Sequence, residues 1–418
     1  MNYLNINLKR ILFLITIFWA TLFLRSPNLF LHPRFWAEEG SIYYYFFQDK
    51  GFISTFSYVA NGNFQLLTNW GVYFSTSFPS KYAAFFTTYF SILFASILAG
   101  LIGVISIQQG WSYLLSIIIV INLALLPQGY EIYLTTTSIQ WICSVSILLI
   151  GVIDANKLNK LSRCIALIYI LFCGLTGVCS AMLAPIFLVR RYLSPSQFHY
   201  RAGLVLGLCA VVQIVVILKQ PHLGREFHTD LLILSFPLIL QTIWSPLIGA
   251  GVVDWLIALL IKREYSYLWI LVTYFVSIVL IIYIANTLKK SSNNRNLTAI
   301  LLCTWLYVSI LNVFGSLGPS AGLISGWGGG RYFYLGAVCF LILLGLSVNI
   351  AQPGKKRIIF LLLLIMLATG VGQVYFGTWK NWMLSGDAWS LSVNRCEEIR
   401  PCNVKIWPAS WSFELRNR

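Results

Sequence analysis

The sequence predicts an all-α polytopic membrane protein, and three observations carry this prediction. Of its 418 residues, 58% are hydrophobic and only 10% are charged, and the mean hydropathy is +0.77. Apolar runs long enough for an α-helix to cross a hydrocarbon core of roughly 30 Å recur along the chain. The short alternating segments typical of a transmembrane β-barrel do not occur. A soluble globular fold is therefore excluded.

Nine apolar runs are predicted to cross the membrane as single helices. The first follows Lys9 and Arg10 and is expected to stay in the protein as its targeting signal, because no small-residue cleavage site comes after it. The nine runs are about 11–24, 83–107, 111–126, 138–153, 202–218, 267–287, 298–314, 333–350 and 358–376.

The apolar stretch 164–189 is expected to form two short helices, because Gly174, Gly177 and Ser180 interrupt it. The count then reaches about eleven spans, and the basic clusters between helices fall on one side, which the positive-inside rule makes cytoplasmic. The N-terminus lies in the cytoplasm and the C-terminus on the outer side. Stretch 231–261 is expected to form either two short spans or helices on the outer surface. Both arrangements keep the number of spans odd and the C-terminus on the outer side.

The non-membrane mass is predicted on the outer side. Residues 1–376 form the transmembrane domain, and its first outer loop, 25–82, is too rich in aromatic residues for a solvated loop. This composition indicates amphipathic helices at the membrane interface. Residues 377–418 are too few for an independent domain and are expected to form a small cap. Cys396 and Cys402 are disulfide candidates if that side is oxidising.

The formal net charge of +16 does not indicate a nucleic acid partner. The predicted topology puts all of the 13 acids except Asp154 on the outer side. The positive charge therefore reflects cytoplasmic anchors against anionic lipid head groups and basic residues scattered through the outer loops. A metal site needs three or four converging ligands, and no such pattern is found. We expect membrane lipids as partners, no nucleic acid and no metal cofactor.

The adjacent acids Glu38 and Glu39 are the main candidates for chemistry. They lie just past the first span in a chain with few acids, and ionisable groups near a bilayer are costly and usually functional. A partly buried carboxylate at this position can act as a general base. The alternative is a pair of acids at a helix start, where the helix dipole favours negative charge.

Other outer-loop residues are candidates for binding an anion or orienting a substrate. The glycine-rich segment 326–330 permits consecutive backbone N–H groups to point at an anion, and Arg331 follows it. The alternative is a flexible loop with a snorkelling arginine. Glu131 either orients a substrate or forms a structural salt bridge. His222 and Arg225 could contact a phosphate or belong to an ordinary polar loop.

The residues around the acid pair resemble a known family. The stretch FWAEEGSIY from Phe35 to Tyr43, followed by YVANGN at 58–63, is similar to the opening of bacterial multispanning proteins with an FWAEDG motif. More broadly, it resembles glycosyltransferases of the GT-C fold, of the protein mannosyltransferase and aminoarabinose transferase type. This chain departs from the family pattern because both of its acids are Glu.

The resemblance implies a GT-C-like helical bundle in the bacterial inner membrane. It implies inverting transfer of a sugar from a polyprenyl-phosphate donor to a glycan, lipid or protein acceptor on the outer side. Glu38 then corresponds to the general base, and Glu39 orients the acceptor or shares that role. Arg331 and Tyr332 correspond to an Arg-Tyr pair that binds the donor. A flippase for lipid-linked glycans and a non-catalytic assembly subunit are the alternatives, although nearly charge-free spans disfavour a flippase.

Overall fold

A computed structural model describes most of the chain, and 81% of the structure is helical. Six helices of this described part are long and apolar enough to cross a membrane. The chain is therefore an α-helical integral membrane protein. The six helices are Asn7–Arg25, Ser80–Gln108, Gln197–Lys219, Ile270–Leu288, Gly330–Ile350 and Pro353–Phe376. The described residues are 2–60, 62–193, 195–220, 231–261, 266–288, 292–314, 329–377, 388–397, 402–408 and 411–416.

The other predicted spans also correspond to helices, which are shorter or less apolar. They are Tyr113–Leu125, Ile139–Val152, Lys160–Gly174, Ala184–Leu193 and Ser292–Phe314. Stretch 164–189 is broken after Gly174, and the short helix Val178–Ala181 begins after Gly177, whose φ is +103°. The total of eleven spans stays a prediction, because six described helices meet the length and hydropathy that a span requires.

The loops contain short elements that bring distant parts of the chain together. The first long loop has two short strands, β1 (Val59–Ala60) and β2 (Asn63–Phe64), which pair antiparallel. Its helices are Pro27–Leu31, the π-helix Glu39–Tyr44, Tyr45–Phe47, Phe52–Phe56 and Leu66–Ser75. Single 3₁₀ turns lie in the connections between later helices, at Pro127–Gly129, Thr136–Ser138 and Ala155–Lys157.

The bundle has two ends, which contacts of the first helix identify. Arg10 donates a hydrogen bond to the carbonyl of Trp111 at 2.7 Å, and Arg25, later on the same helix, donates to the carbonyl of Ala124. We call the end with Arg25 the site face, because the acid pair lies there. The other end, with Arg10 and Asp154, is the opposite face.

The Gly330–Ile350 helix forms the centre of the bundle, and nearly all of its residues are buried. Small residues allow its neighbours to approach closely, as expected where lipid removes the hydrophobic drive for helix association. A Cβ on Gly336 would lie 2.7 Å from the Thr242 methyl group, and one on Gly345 would lie 3.0 Å from the Trp111 ring. The first turn of this central helix lies at the site face.

Stretch 231–261 is helical and bent. It contains the helix Leu231–Ile239, the π-helix Leu240–Trp244, the helix Ser245–Ile248 and the helix Ala250–Ile261. The break falls at Gly249, whose φ is +92° and where a Cβ would lie 2.8 Å from the Gln373 amide nitrogen. This break divides the stretch into two arms, as both predicted arrangements require.

The C-terminal cap contains β-structure that the all-α prediction did not include. Helix Trp389–Glu397 precedes an antiparallel pair, β3 (Cys402–Lys405) and β4 (Ser412–Leu415). A disulfide joins Cys396 on the helix to Cys402 on β3, with the two Cα atoms 5.6 Å apart. The cap packs on the first long loop at the site face.

Candidate active site

The acid pair lies at the start of a π-helix, Glu39–Tyr44, with Glu38 as the residue before it. Helices of this type are rare and are frequently found at functional sites. Gly40 is required here by close packing, because a Cβ would lie 2.8 Å from the Ile406 side chain and 3.0 Å from Phe35 Cβ. The glycine therefore lets the cap close directly on the acid pair.

Glu39 is fully buried and binds the protein's own backbone. One carboxylate oxygen accepts hydrogen bonds from the N–H and the hydroxyl of Thr136, at 2.7 and 2.6 Å. The other accepts from the N–H of Trp36 at 3.1 Å. Desolvation outweighs these donors and raises the pKa of Glu39 to about 7. Glu39 thus joins the first loop to the turn before the Ile139–Val152 helix, and it does not line the cavity described next.

Because of Glu39, we expect the protein to be more stable at pH 6 than at pH 8. A folded-state pKa of about 7, raised from 4.5, means that the folded state binds a proton that the unfolded state releases. The resulting stabilisation is complete below the unfolded pKa and is lost as pH rises through the folded pKa. The expected difference is about 1 kcal/mol.

Thermal unfolding of the purified protein at the two pH values measures this effect. The variant Glu39→Gln should show little of this pH dependence, whereas Glu414→Gln, which removes an exposed acid of the cap, should keep it. An equal pH dependence in wild type and Glu39→Gln would contradict the assignment.

Glu38 lines a cavity of about 150 Å³ at the site face. Neighbouring residues of a helical turn point in different directions, so the two acids separate into one buried and one cavity-lining side chain. Tyr43 lines the same cavity. The pKa of Tyr43 is raised by burial first and then by Tyr58 and Glu38, so its phenol stays protonated and can donate a hydrogen bond.

Arg331 lines this cavity as well, although it is far from Glu38 in sequence. It occupies the first turn of the Gly330–Ile350 helix, directly after Gly329, which has a left-handed conformation with φ of 60°. Glu38 is close enough to interact with it electrostatically. A positive side chain beside a helix N-terminus is suited to binding an anion.

Two neighbours orient the Arg331 guanidinium. Oε2 of Glu131 lies 3.6 Å from Nη1 of Arg331. The ring of Tyr332, which also lines the cavity, faces the guanidinium, with 5.6 Å between the ring centroid and Arg331 Cζ. Burial raises the pKa of Glu131, and Arg331 opposes this rise. Glu131 itself faces a second, smaller pocket with Arg34. The salt-bridge alternative for Glu131 is therefore present in the structure.

The remaining cavity wall combines polar groups, two rings and apolar side chains, and it has no further charged group among the described residues. Its amides, hydroxyls and rings belong to Asn63, Gln65, Thr137, Ser138, Gln140, Trp141, Asn312 and Tyr332. Most of these residues are not predicted as site residues from the sequence. Two of them have a recognisable context: Asn63 belongs to the YVANGN stretch, and Gln140 is a polar residue inside an apolar run.

The cap binds the backbone on both sides of Trp36, next to the acid pair. The N–H of Trp407 donates to the carbonyl of Phe35 at 3.1 Å, and the carbonyl of Trp407 accepts from the N–H of Ala37 at 2.5 Å. The rings of Trp36 and Trp407 lie 4.3 Å apart. The cap therefore fixes the chain that carries Glu38.

Some of the predicted site residues lie outside the described part of the chain. These are His222 and Arg225 and residues 326–328 of the glycine-rich segment. Within the described residues, no group of three or more His, Cys, Asp or Glu side chains could hold a metal ion. Metal independence remains a prediction.

Comparison with known proteins identifies no relative of this chain. No protein-family model matches it, and neither a curated protein nor a solved structure does. The chemistry of the cavity is therefore the basis for a function.

Proposed function

We propose that the protein is a membrane glycosyltransferase of the GT-C type. It transfers a sugar from a polyprenyl-phosphate donor to a glycan, lipid or protein acceptor. The observation that supports this is that Glu38 and Arg331 line one small cavity at the end of a helical bundle. Sugar transfer from a phosphate needs a base for the acceptor hydroxyl and a cation for the departing phosphate, both around one anomeric carbon.

In this mechanism, the acceptor hydroxyl oxygen attacks the anomeric carbon while the Glu38 carboxylate takes its proton. The bond from that carbon to the phosphate oxygen breaks, and the lipid phosphate leaves with the electron pair. Attack opposite the leaving group inverts the anomeric centre. Arg331 and the N-terminus of its helix stabilise the phosphate charge. Glu131 and Tyr332 act as positioning residues because they orient the guanidinium.

The proposed membrane arrangement has eleven crossings in the bacterial inner membrane, with the site face on the outer side. The N-terminus is then cytoplasmic and the C-terminal cap is outside. The basic residue Arg10 at the opposite face agrees with the positive-inside rule. The cavity's location at the end of the bundle supports chemistry at the membrane surface more than a flippase pathway, which would need polar groups in mid-span.

Donor turnover tests this function, with Arg331→Gln as the diagnostic variant. The assay uses purified protein in nanodiscs, undecaprenyl phosphate carrying a radiolabelled hexose, and membranes of the native cell as the acceptor source. Wild type should release undecaprenyl phosphate. Arg331→Gln should bind undecaprenyl phosphate more weakly and turn over about 100-fold more slowly, because a donor to the leaving group is lost.

The matched control is Lys81→Gln, which removes a positive charge near the start of the Ser80–Gln108 helix and away from the cavity. It should keep normal binding and turnover. Binding without turnover in wild type, for every hexosyl donor tried, would favour the assembly-subunit alternative. Equal binding by wild type and Arg331→Gln would remove Arg331 from the phosphate site.

A further inference from the structure

We infer that Asn63 and Gln140 form a subsite that recognises a hydroxyl group of the transferred sugar, and that this sugar is neutral at that position. The inference rests on the proposed function and adds its substrate class. The starting observation is a pair of amides in the cavity wall. Asn63 Nδ2 donates a hydrogen bond to Gln140 Oε1 at 2.8 Å, and both side chains line the cavity.

This pair leaves one acceptor and one donor for a ligand. Asn63 is 9% exposed, and its Oδ1 is buried without a hydrogen-bond partner among the described residues. In the described part of the chain, the Gln140 amide nitrogen makes one bond, a long one of 3.4 Å to the carbonyl of Thr137. A buried polar atom without a partner is costly, and a native protein normally satisfies it.

A sugar hydroxyl has the donor that Asn63 Oδ1 lacks and the acceptor that the Gln140 amide nitrogen lacks. A hydroxyl group can donate to Asn63 Oδ1 and accept from the Gln140 amide nitrogen, because it carries one hydrogen and two lone pairs. A carboxylate can only accept, and it would be repelled by Asn63 Oδ1. An ammonium group can only donate, and it would leave the Gln140 nitrogen without an acceptor. The pair therefore selects a hydroxyl over an acidic or amino substituent.

The acceptor oxygens of the other amides in the cavity are already paired within the protein. Asn312 Nδ2 donates to the carbonyl of Tyr332 at 2.7 Å, and its Oδ1 accepts from Cys179 Sγ at 3.0 Å. Gln65 Oε1 accepts from the Thr68 hydroxyl at 2.9 Å. These contacts distinguish Asn63, whose Oδ1 has no partner among the described residues, from Asn312 and Gln65.

The surrounding structure holds both amides in place. Gln213, on the Gln197–Lys219 helix, bonds both backbone groups of Phe64, which follows Asn63 in β2. Gly177 leaves room for Gln140, because a Cβ at position 177 would lie 2.6 Å from Gln140 Oε1. Groups fixed before the ligand arrives lose little freedom on binding, so their hydrogen bonds contribute more to affinity.

Binding of lipids that differ only in their sugar tests the inference. The probes are undecaprenyl phosphate alone and undecaprenyl phosphate carrying glucose, galactose, mannose or glucuronic acid, with the full-length protein in nanodiscs. At least one neutral hexosyl lipid should bind wild type about 10-fold more tightly than the bare lipid. Asn63→Ala and Gln140→Leu should reduce this ratio to near one and leave bare-lipid affinity unchanged.

One control variant and one binding measurement make the test independent of folding defects. Asn349→Ala removes an amide at the opposite face, which bonds the carbonyl of Gln109, and should leave the ratio unchanged. Unchanged affinity for undecaprenyl phosphate shows that a variant is folded.

The possible failures are distinguishable. A sugar preference that persists in both Asn63→Ala and Gln140→Leu overturns the subsite and leaves the transferase proposal standing. Equal binding of bare and sugar-bearing lipids by wild type also overturns the subsite. If undecaprenyl phosphate binds wild type and Arg331→Gln equally, the proposed phosphate site is wrong and the inference falls with it.

Discussion

Glu38→Gln is expected to reduce sugar transfer by about 10²- to 10⁴-fold, the usual loss when a general base is removed. Glutamine keeps the size of the side chain and its place on the cavity wall but cannot take a proton from the acceptor. The rate constant for transfer should therefore fall while the Kd of the lipid-linked donor stays nearly unchanged. A single-turnover assay with a direct binding measurement separates the two quantities.

The neighbouring acid provides the matched control. Glu39→Gln makes the same chemical change one residue away, at a buried side chain that bonds Thr136 and Trp36. We expect it to alter stability and its pH dependence and to keep the transfer rate within a few-fold. If Glu39→Gln is inactive and Glu38→Gln is active, the general base is Glu39 and not Glu38. Full activity of the double variant would rule out the mechanism.

Trp407→Ala should slow transfer by about 100-fold, although Trp407 does not line the main cavity. Its ring packs against Trp36, and the loss of this contact would loosen the backbone pairing that holds the residues before Glu38. A displacement of the base of about 1 Å is enough for such a loss. Since Trp407 acts through Glu38, kcat should fall while the affinity for undecaprenyl phosphate stays the same.

Trp411→Ala is the matched control, because Trp411 lies in the same cap but is 37% exposed. Trp407→Phe should recover part of the activity, since it restores an aromatic contact with Trp36. If Trp407→Ala loses no more activity than Trp411→Ala, the cap packs on the first long loop without positioning Glu38. A lower affinity for the bare lipid would instead show that the whole site has been disturbed.

Much of the bundle could be predicted from the sequence, because a segment inside a membrane must satisfy its backbone hydrogen bonds internally and so becomes a helix. The run 333–350 corresponds to the helix Gly330–Ile350, and the break predicted in 164–189 is found near Gly177. These features depend on local composition. The number of helices that span the bilayer depends on more than local composition and stays a prediction.

The arrangement of the candidate site was less accessible from the sequence, since it depends on contacts between distant residues. Glu38 and Glu39 are chemically equivalent in the sequence, and the bond to Thr136 decides which one is buried. Asn63 and Gln140 are neutral residues with no motif of their own. Strands β3 and β4 have four residues each, so their period-2 pattern is too short to recognise.

The backbone pairing of Trp36 with Trp407 has a consequence for biosynthesis. The segment with Glu38 leaves the ribosome early, whereas its partner segment is made only after the whole bundle. A nascent or prematurely terminated chain can insert its helices but lacks the segment around Trp407 that fixes the chain before Glu38. The proposed activity should therefore begin only after the segment around Trp407 has been synthesised.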